Sequence, residues 1–291
     1  MLSLIDKAYQ GLIMKYRLIA LKEMVEKCIG NLITPNGIIE KILYKLYLNW
    51  ITQRILTYKT GAIDSFVFFT DAHWGDNDRK TPFFCKEIAE KCDITKFVFG
   101  GDIITESYAE KENAICEIKS FFKSLQNSKY KIFPVIGNHD YNTYHQKNKF
   151  AVIDEKELKN ILNECVQLLS SYEKLYYYFD FESVKIRYIF LNTSDQTYVE
   201  DQIPFICKTL IDTPAGFKII VFGHIWVEWD ANRRAYYTND STDKLLRIFD
   251  KYNDRDSYKN FDFTESLSFV RLIVGGTYIM SILFIQTEGF L

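Results

Sequence analysis

Apolar residues recur at helical spacing near the start of the chain. They are Ile5, Tyr9, Leu12, Ile13, Tyr16 and Ile19, followed, beyond Thr34-Pro35-Asn36-Gly37, by Ile39, Leu43, Leu46, Tyr47, Trp50 and Ile51. This predicts two helices over residues 1–62, ahead of a main domain over 63–291, with Gly61 as the stop of the second. Their stripes pack on the main fold or on each other; no sustained heptad supports a coiled-coil dimer. Past Gly61 the texture changes to short β-rich runs alternating with helical stretches: "SFVFFT", "FFCKEIAEKC", "KFVFG", "AICEIKSFFKSL", "KIFPVIG". That order is βαβ syntax around a sheet buried on both faces, and the fold class is α/β.

A helical segment from Asp154 to Tyr172 comes next, then "YYYFDF" and "VKIRYIFLN" as a hairpin about Glu182-Ser183. A helix over Gln202–Ile211, the strand "FKIIVF", a polar surface loop "DANRRAYYTNDSTD" and a last strand "FVRLIV" ending at Gly275-Gly276 complete the pattern. The run Leu272–Ile285 falls short of the roughly 20 apolar residues of a membrane span, and the N-terminus lacks a signal peptide's layout.

Composition narrows the function classes. With 291 residues, 47% of them hydrophobic, the chain can bury a sizeable core. A net charge of −2 does not advertise nucleic acid, although a local basic groove stays open. The aromatic share of 16% accompanies abundant Ile, Lys and Asn and reads as compositional bias rather than a base-stacking platform. Six cysteines are scattered without a C-x-x-C pair, which points to free thiols, a reducing compartment and a cytoplasmic protein without membrane attachment.

Four apolar runs each deliver polar groups at their ends: Asp71 and His73 after "FVFFT", Asp102 after "KFVFGG", Asn138, His139 and Asp140 after "KIFPVIG", and His224 after "KIIVFG". In a parallel α/β sheet such strand ends converge on one crevice. Two carboxylates, an amide oxygen and imidazoles, with no thiolate, make a mixed oxygen and nitrogen set suited to divalent cations such as Mn, Fe or Zn. A carboxylate can bridge two such cations, and paired cations activate water and stabilise both oxygens of a phosphoryl transfer. Asp102 is the natural bridge.

Asp71-x-His73, Gly101-Asp102, Gly137-Asn138-His139-Asp140 and the strand-end His224, which use three of the four histidines, resemble the calcineurin-like metallophosphoesterases over residues 63–285. "FTDAHWGDNDRKTP" and "FVFGGDII" also resemble a branch found in phages and gut bacteria. The resemblance implies an α/β/β/α sandwich holding two divalent metals. Asp71 and His73 are implied to bind the first, Asp102 to bridge, and Asn138 and His224 to bind the second. It implies hydrolysis of a phosphomonoester or phosphodiester by a hydroxide activated between the metals. His139 is then the proton donor to the leaving oxygen and Asp140 the partner that orients it.

The pattern departs from the family at its end, where Gly-His-x-His is expected and "LIVGGTYIMS" stands, with no histidine after His224. One alignment takes His224 as the lone histidine that precedes this motif, which places Tyr278 near the lost imidazoles; the other takes "GHIW" as the last motif itself. The first is preferred because "DQIPFICKTL" precedes "FKIIVFGH" and "FVRLIVGG" supplies a later strand. Three functions stay open: an active phosphoesterase, an impaired remnant that binds or builds rather than catalyses, and a nuclease.

Plainer accounts exist for each residue. Asp, Asn and Gly are common in strand-end turns. His145 suits a solvated loop. Asn77 and Arg79 suit either a phosphate contact or a charged loop, and Trp74, Trp226 and Trp229 suit packing.

Overall fold

The computed structural model describes residues 38–75, 80–127, 129–143, 149–166, 172, 174–192, 202–224, 240–274, 281–286 and 289–290. The expected helix around Ile5–Ile19 lies outside them, as do His145, Asn77, Arg79, Trp226, Trp229 and Tyr278. Two compact units divide the chain, Met1–Arg54 and Ile55–Leu291. Helix α1 (Ile38–Lys59) runs through that boundary. In the first unit it leaves Ile42, Leu46 and Trp50 exposed. It is followed by Gly61 at φ +81°, a left-handed conformation that costs glycine little and ends the helix.

The second unit begins with β1 (Ala62–Phe69), α2 (Lys80–Lys91), β2 (Lys96–Phe99), α3 (Lys111–Leu125) and β3 (Lys131–Pro134). It continues with α4 (Glu155–Cys165), β4 (Tyr177–Phe181), β5 (Ile186–Phe190), α5 (Gln202–Ile211), β6 (Lys218–Phe222) and α6 (Asp240–Asn253). Short β7 (Ser257–Tyr258) and β8 (Phe261–Asp262), then β9 (Phe269–Val274), β10 (Ser281–Gln286) and β11 (Gly289–Phe290), follow. One sheet has the order β11-β10-β1-β2-β3 and the other β4-β5-β6-β9. β1, β2 and β3 run parallel, as do β5, β6 and β9.

β1 shows why the run "FVFF" is apolar without alternation: Phe66, Val67, Phe68 and Phe69 are all buried. Phe66 faces the second sheet, its ring 5.3 Å from Phe222 and 5.5 Å from Tyr188. Phe69 faces the helices, 6.1 Å from Phe121 of α3. Phe133 on β3 stacks on Phe190 on β5 at 5.4 Å and 3°. Behind the second sheet, Ile206 and Leu210 of α5 and Ile248 and Phe249 of α6 cluster with Ile189, Ile219 and Val221. Helices therefore cover both outer faces, and the architecture is the expected α/β/β/α sandwich.

Local readings hold at the β4–β5 hairpin, where Glu182–Val184 forms the turn and Lys185 takes φ +53°. Two others need correction, while "FVRLIV" forms β9 as expected. The helix expected over Asp154–Tyr172 ends at Cys165, its start fixed by a capping box in which Asp154 and Glu157 bond each other's backbone N–H. The polar loop ends earlier than expected, because Asp240 already starts α6; its polar first turn hid the apolar positions Leu245, Ile248 and Phe249 that follow. The apolar run Leu272–Ile285 is not one element: its halves belong to β9 and β10, in different sheets, and β10 pairs antiparallel with β1. Among the described residues no helix is long and apolar enough to cross a membrane.

An ion pair ties the two sheets at the end of β1 far from Phe69. Asp64 accepts from Lys96 Nζ, from the Tyr188 hydroxyl of the second sheet (2.7 Å) and from the Ser65 N–H (2.7 Å). Lys96 also lies 3.8 Å over the Phe181 ring. Burial pulls the Lys96 pKa down, against the opposing pull of Asp64. Removing one partner strands the other charge, which costs about 3–5 kcal/mol, whereas replacing both with apolar groups costs far less. We expect Asp64→Ala to destabilise the protein by that amount in urea unfolding, and Asp64→Leu/Lys96→Met to lose less than half as much.

Candidate metal centre

The ladder between β1 and β2 continues past the strand ends. Gly100 N–H donates to Phe69 O (2.7 Å), Asp71 N–H to Gly101 O (2.9 Å), His73 N–H to Asp102 O (3.2 Å) and Trp74 N–H to Ile103 O (2.7 Å). The two loops thus advance in step, and three of their polar residues adopt left-handed backbone: Asp71 at φ +54°, His73 at +42° and Asp102 at +56°. Such conformations cost non-glycine residues about 1–3 kcal/mol each and persist where the surroundings enforce them.

Asp71, Asp102 and His224 bring ligand atoms within 4.8 Å of one another. Asp71 Oδ2 accepts from Thr70 Oγ1 at 2.7 Å, which orients the carboxylate. His224 is buried, with Nε2 3.2 Å from Asp102 Oδ2 and Nδ1 2.7 Å from Gly100 O. Donation to that carbonyl places the proton on Nδ1 and leaves Nε2 as the electron-pair donor, the arrangement of a metal-ligating histidine. His73 Nε2 is 3.7 Å from Asp71 Oδ1, and His139 Nε2 is 3.5 Å from Asp102 Oδ2. The His73 and His139 rings stand edge to face at 5.2 Å. Asn138 opens the 3-10 turn Asn138–Tyr141, half-buried and next to His139. The donor chemistry, carboxylate oxygens and imidazole nitrogens converging on one point, fits divalent cations.

Asp140 does different work from that expected. Its carboxylate has no exposed surface and accepts from three backbone N–H groups: Gly137 (2.9 Å), Asp102 (3.2 Å) and Ile103 (2.6 Å). It staples the β3 loop to the β2 loop. The acid beside that ring is Glu106, buried, with Oε1 3.0 Å from His139 Nδ1. Trp74 packs, as expected, against Phe121 and Phe83. The stapled loops meet so closely that a Cβ on Gly137 would overlap Asp102 Oδ1 and its backbone nitrogen, and one on Gly101 would lie 2.7 Å from Gly137 N. Thr70 and Glu106 escaped the sequence reading; the signal for Glu106 was an acid close behind Gly101-Asp102 in a largely apolar stretch.

Protons stand in for cations in this cage. Burial opposes charge on His224, but its hydrogen bond to Asp102 and the charges of Asp102 and Asp71 outweigh it and lift its pKa to about 9. The bond to Asp71 raises the His73 pKa. Burial lowers that of His139, with Asp102 pulling the other way. Burial and then the charge of Asp102 push Asp140 up to about 7, against the lowering effect of its backbone donors.

The profile of the calcineurin-like phosphoesterase family matches residues 65–254, more than half of the chain, and the chain belongs to that family. Among solved structures it is similar to a dimetal phosphatase from Danio rerio, with a TM-score of 0.53 and 11% identity, covering 78% of this chain and 94% of that one. That likeness is one of fold. No curated protein matches the chain.

Three outcomes test the geometry. Gly137→Ala forces Asp102 aside, so metal affinity should fall at least about 100-fold in calorimetric titration, because ligand placement within a few tenths of an ångström governs binding. A metal must displace the His224 proton below pH 9, so apparent affinity should rise up to about tenfold per pH unit between 6.5 and 9. The metal-free protein should behave in the opposite sense. The folded pKa of His224 is raised, so its stabilising contribution is complete below about 6.5 and is lost as pH rises through about 9. Melting curves of chelated protein should therefore move down in temperature over that window, and Mn should restore them.

Proposed function

We propose that the chain is a metal-dependent phosphoesterase that hydrolyses a phosphomonoester or phosphodiester. The observation that carries this is the convergence of Asp71, Asp102 and His224 from the ends of β1, β2 and β6. Asp71, His73, Asp102, Asn138 and His224 would hold two divalent cations, Mn, Fe or Zn. Such cations, once bound, supply a strong nucleophile from water at neutral pH and neutralise charge developing on the phosphoryl oxygens.

The protein's own groups do the rest. Asp102 Oδ2 lies 3.5 Å from His139 Nε2 and 3.2 Å from His224 Nε2, a central position that would suit a carboxylate shared between two cations. Its other oxygen, Oδ1, accepts from His139 N–H at 3.0 Å, so the bridge and the proton donor are fixed to one another. His139 is half-buried, with Glu106 against Nδ1. Burial lowers its affinity for the proton, with Asp102 pulling the other way, so a proton it carries is readily given up to a departing oxygen.

A second reading, a remnant that binds without catalysing, is favoured by the lack of any histidine after His224. β9 lies beside β6, and Gly223 N–H donates to Val274 O at 3.0 Å. This supports the alignment in which the segment after Val274 takes the place of the family's last motif, with Tyr278 near the lost imidazoles. A nuclease would differ in substrate alone and would be held on DNA with a steep salt dependence.

In Mn, the purified chain should hydrolyse p-nitrophenyl phosphate or its bis ester at least about 100-fold faster than Asp102→Asn. Equal rates sink the enzyme reading. Tyr278→His should raise the rate if the alignment holds. Two tight equivalents of Mn in a titration are incompatible with the remnant.

A further inference from the structure

Tyr108 and Asn142 make a clasp across the three loops that leave β1, β2 and β3. Asn142 is fully buried and left-handed at φ +53°, directly after the turn that carries Asn138 and His139. Its side chain takes both backbone groups of Tyr108: Oδ1 accepts from Tyr108 N–H (3.2 Å) and Nδ2 donates to Tyr108 O (2.9 Å). A third bond runs from Nδ2 to Ala151 O (3.0 Å), which anchors Asn142 from the far side.

The other end of Tyr108 reaches the first loop. Its hydroxyl donates to Trp74 O at 3.1 Å, one residue beyond His73. The approach is tight: Gly75 adopts φ +106°, and a Cβ there would overlap the Tyr108 hydroxyl. One tyrosine thus joins the loop of His73 to the turn of His139, whose rings stand 5.2 Å apart. The Asp140 staple pins the start of the β2 loop at Asp102 and Ile103, and the clasp pins it again at Tyr108. The arch between the two pins carries Glu106 to His139 Nδ1.

We propose that Tyr108, gripped by Asn142, is a positioning residue that sets the His73–His139 gap. This rests on the phosphoesterase reading for its catalytic consequence but not for its geometry. An array of this kind loses rate when reacting groups drift by an ångström or less.

The test is Tyr108→Phe, which removes one oxygen and keeps the ring. The chain has only four histidines, so their ring signals can be followed singly by proton–carbon NMR in chelated full-length protein. The His73 and His139 signals should shift, while that of His224, which is held by Gly100 O and Asp102, stays in place. In the Mn-loaded protein kcat should fall about tenfold with KM within about twofold. Unmoved rings, or equal movement of all three, overturn the proposal. Asn142→Gly keeps the left-handed backbone and removes the grip, and it should move the same two signals. If those signals move while wild type shows no hydrolysis, the clasp stands and the phosphoesterase reading falls.

Discussion

Everything at the metal centre depends on how closely the loops after β2 and β3 can lie. Parallel strands sit about 4.8 Å apart, and loops that leave them side by side must satisfy their own buried backbone groups. Asp140 does this with one carboxylate that gathers the N–H groups of Gly137, Asp102 and Ile103. The absence of a side chain on Gly137 is what lets Asp102 lie against it. Once the loops are joined in this way, the left-handed conformations of Asp71, His73 and Asp102 are imposed rather than chosen, and their carboxylates and imidazoles are held in place before any cation arrives.

The second constraint is the fit between the sheets. Asp71, Asp102 and Asn138 follow strands of one sheet, but His224 comes from the other. Its position is therefore only as good as the aromatic packing between them. Phe222, two residues earlier, is locked against Phe66, Phe68, Tyr188 and Phe190 with ring separations of 5.0–6.4 Å. The high phenylalanine content thus has a functional consequence: flat, rigid rings set the height of one sheet on the other and so the distance from His224 to Asp102.

The sequence carried what depends on local pattern. "SFVFFT", "KFVFG" and "KIFPVIG" announce buried parallel strands because no polar residue interrupts them, and the polar groups that end them must emerge at one edge. The convergence of Asp71, Asp102 and His224 was readable for that reason. The backbone bonds of Asp140 were not legible, because adjacency to His139 says nothing about which way a carboxylate turns. Inside a tight 3-10 turn it faces the backbone, and the acid that reaches the ring comes from another loop.

The missing histidines can be weighed in terms of charge. An imidazole ligates as a neutral group, so on the alignment proposed above, with Gly275-Gly276-Thr277-Tyr278 standing where the family has Gly-His-x-His, electron pairs would be lost while the charge of the cage stays with Asp71 and Asp102. Those two carboxylates, buried or half-buried within reach of His224, provide the attraction for cations, seen in the proton that His224 holds up to about pH 9. On that alignment what the chain would give up is coordination number and rigidity. Water can fill the first deficit, as it commonly does around divalent ions. Rigidity can come only from the protein, which places a larger burden on the Asp140 staple and the Tyr108–Asn142 clasp to hold the ligands that remain.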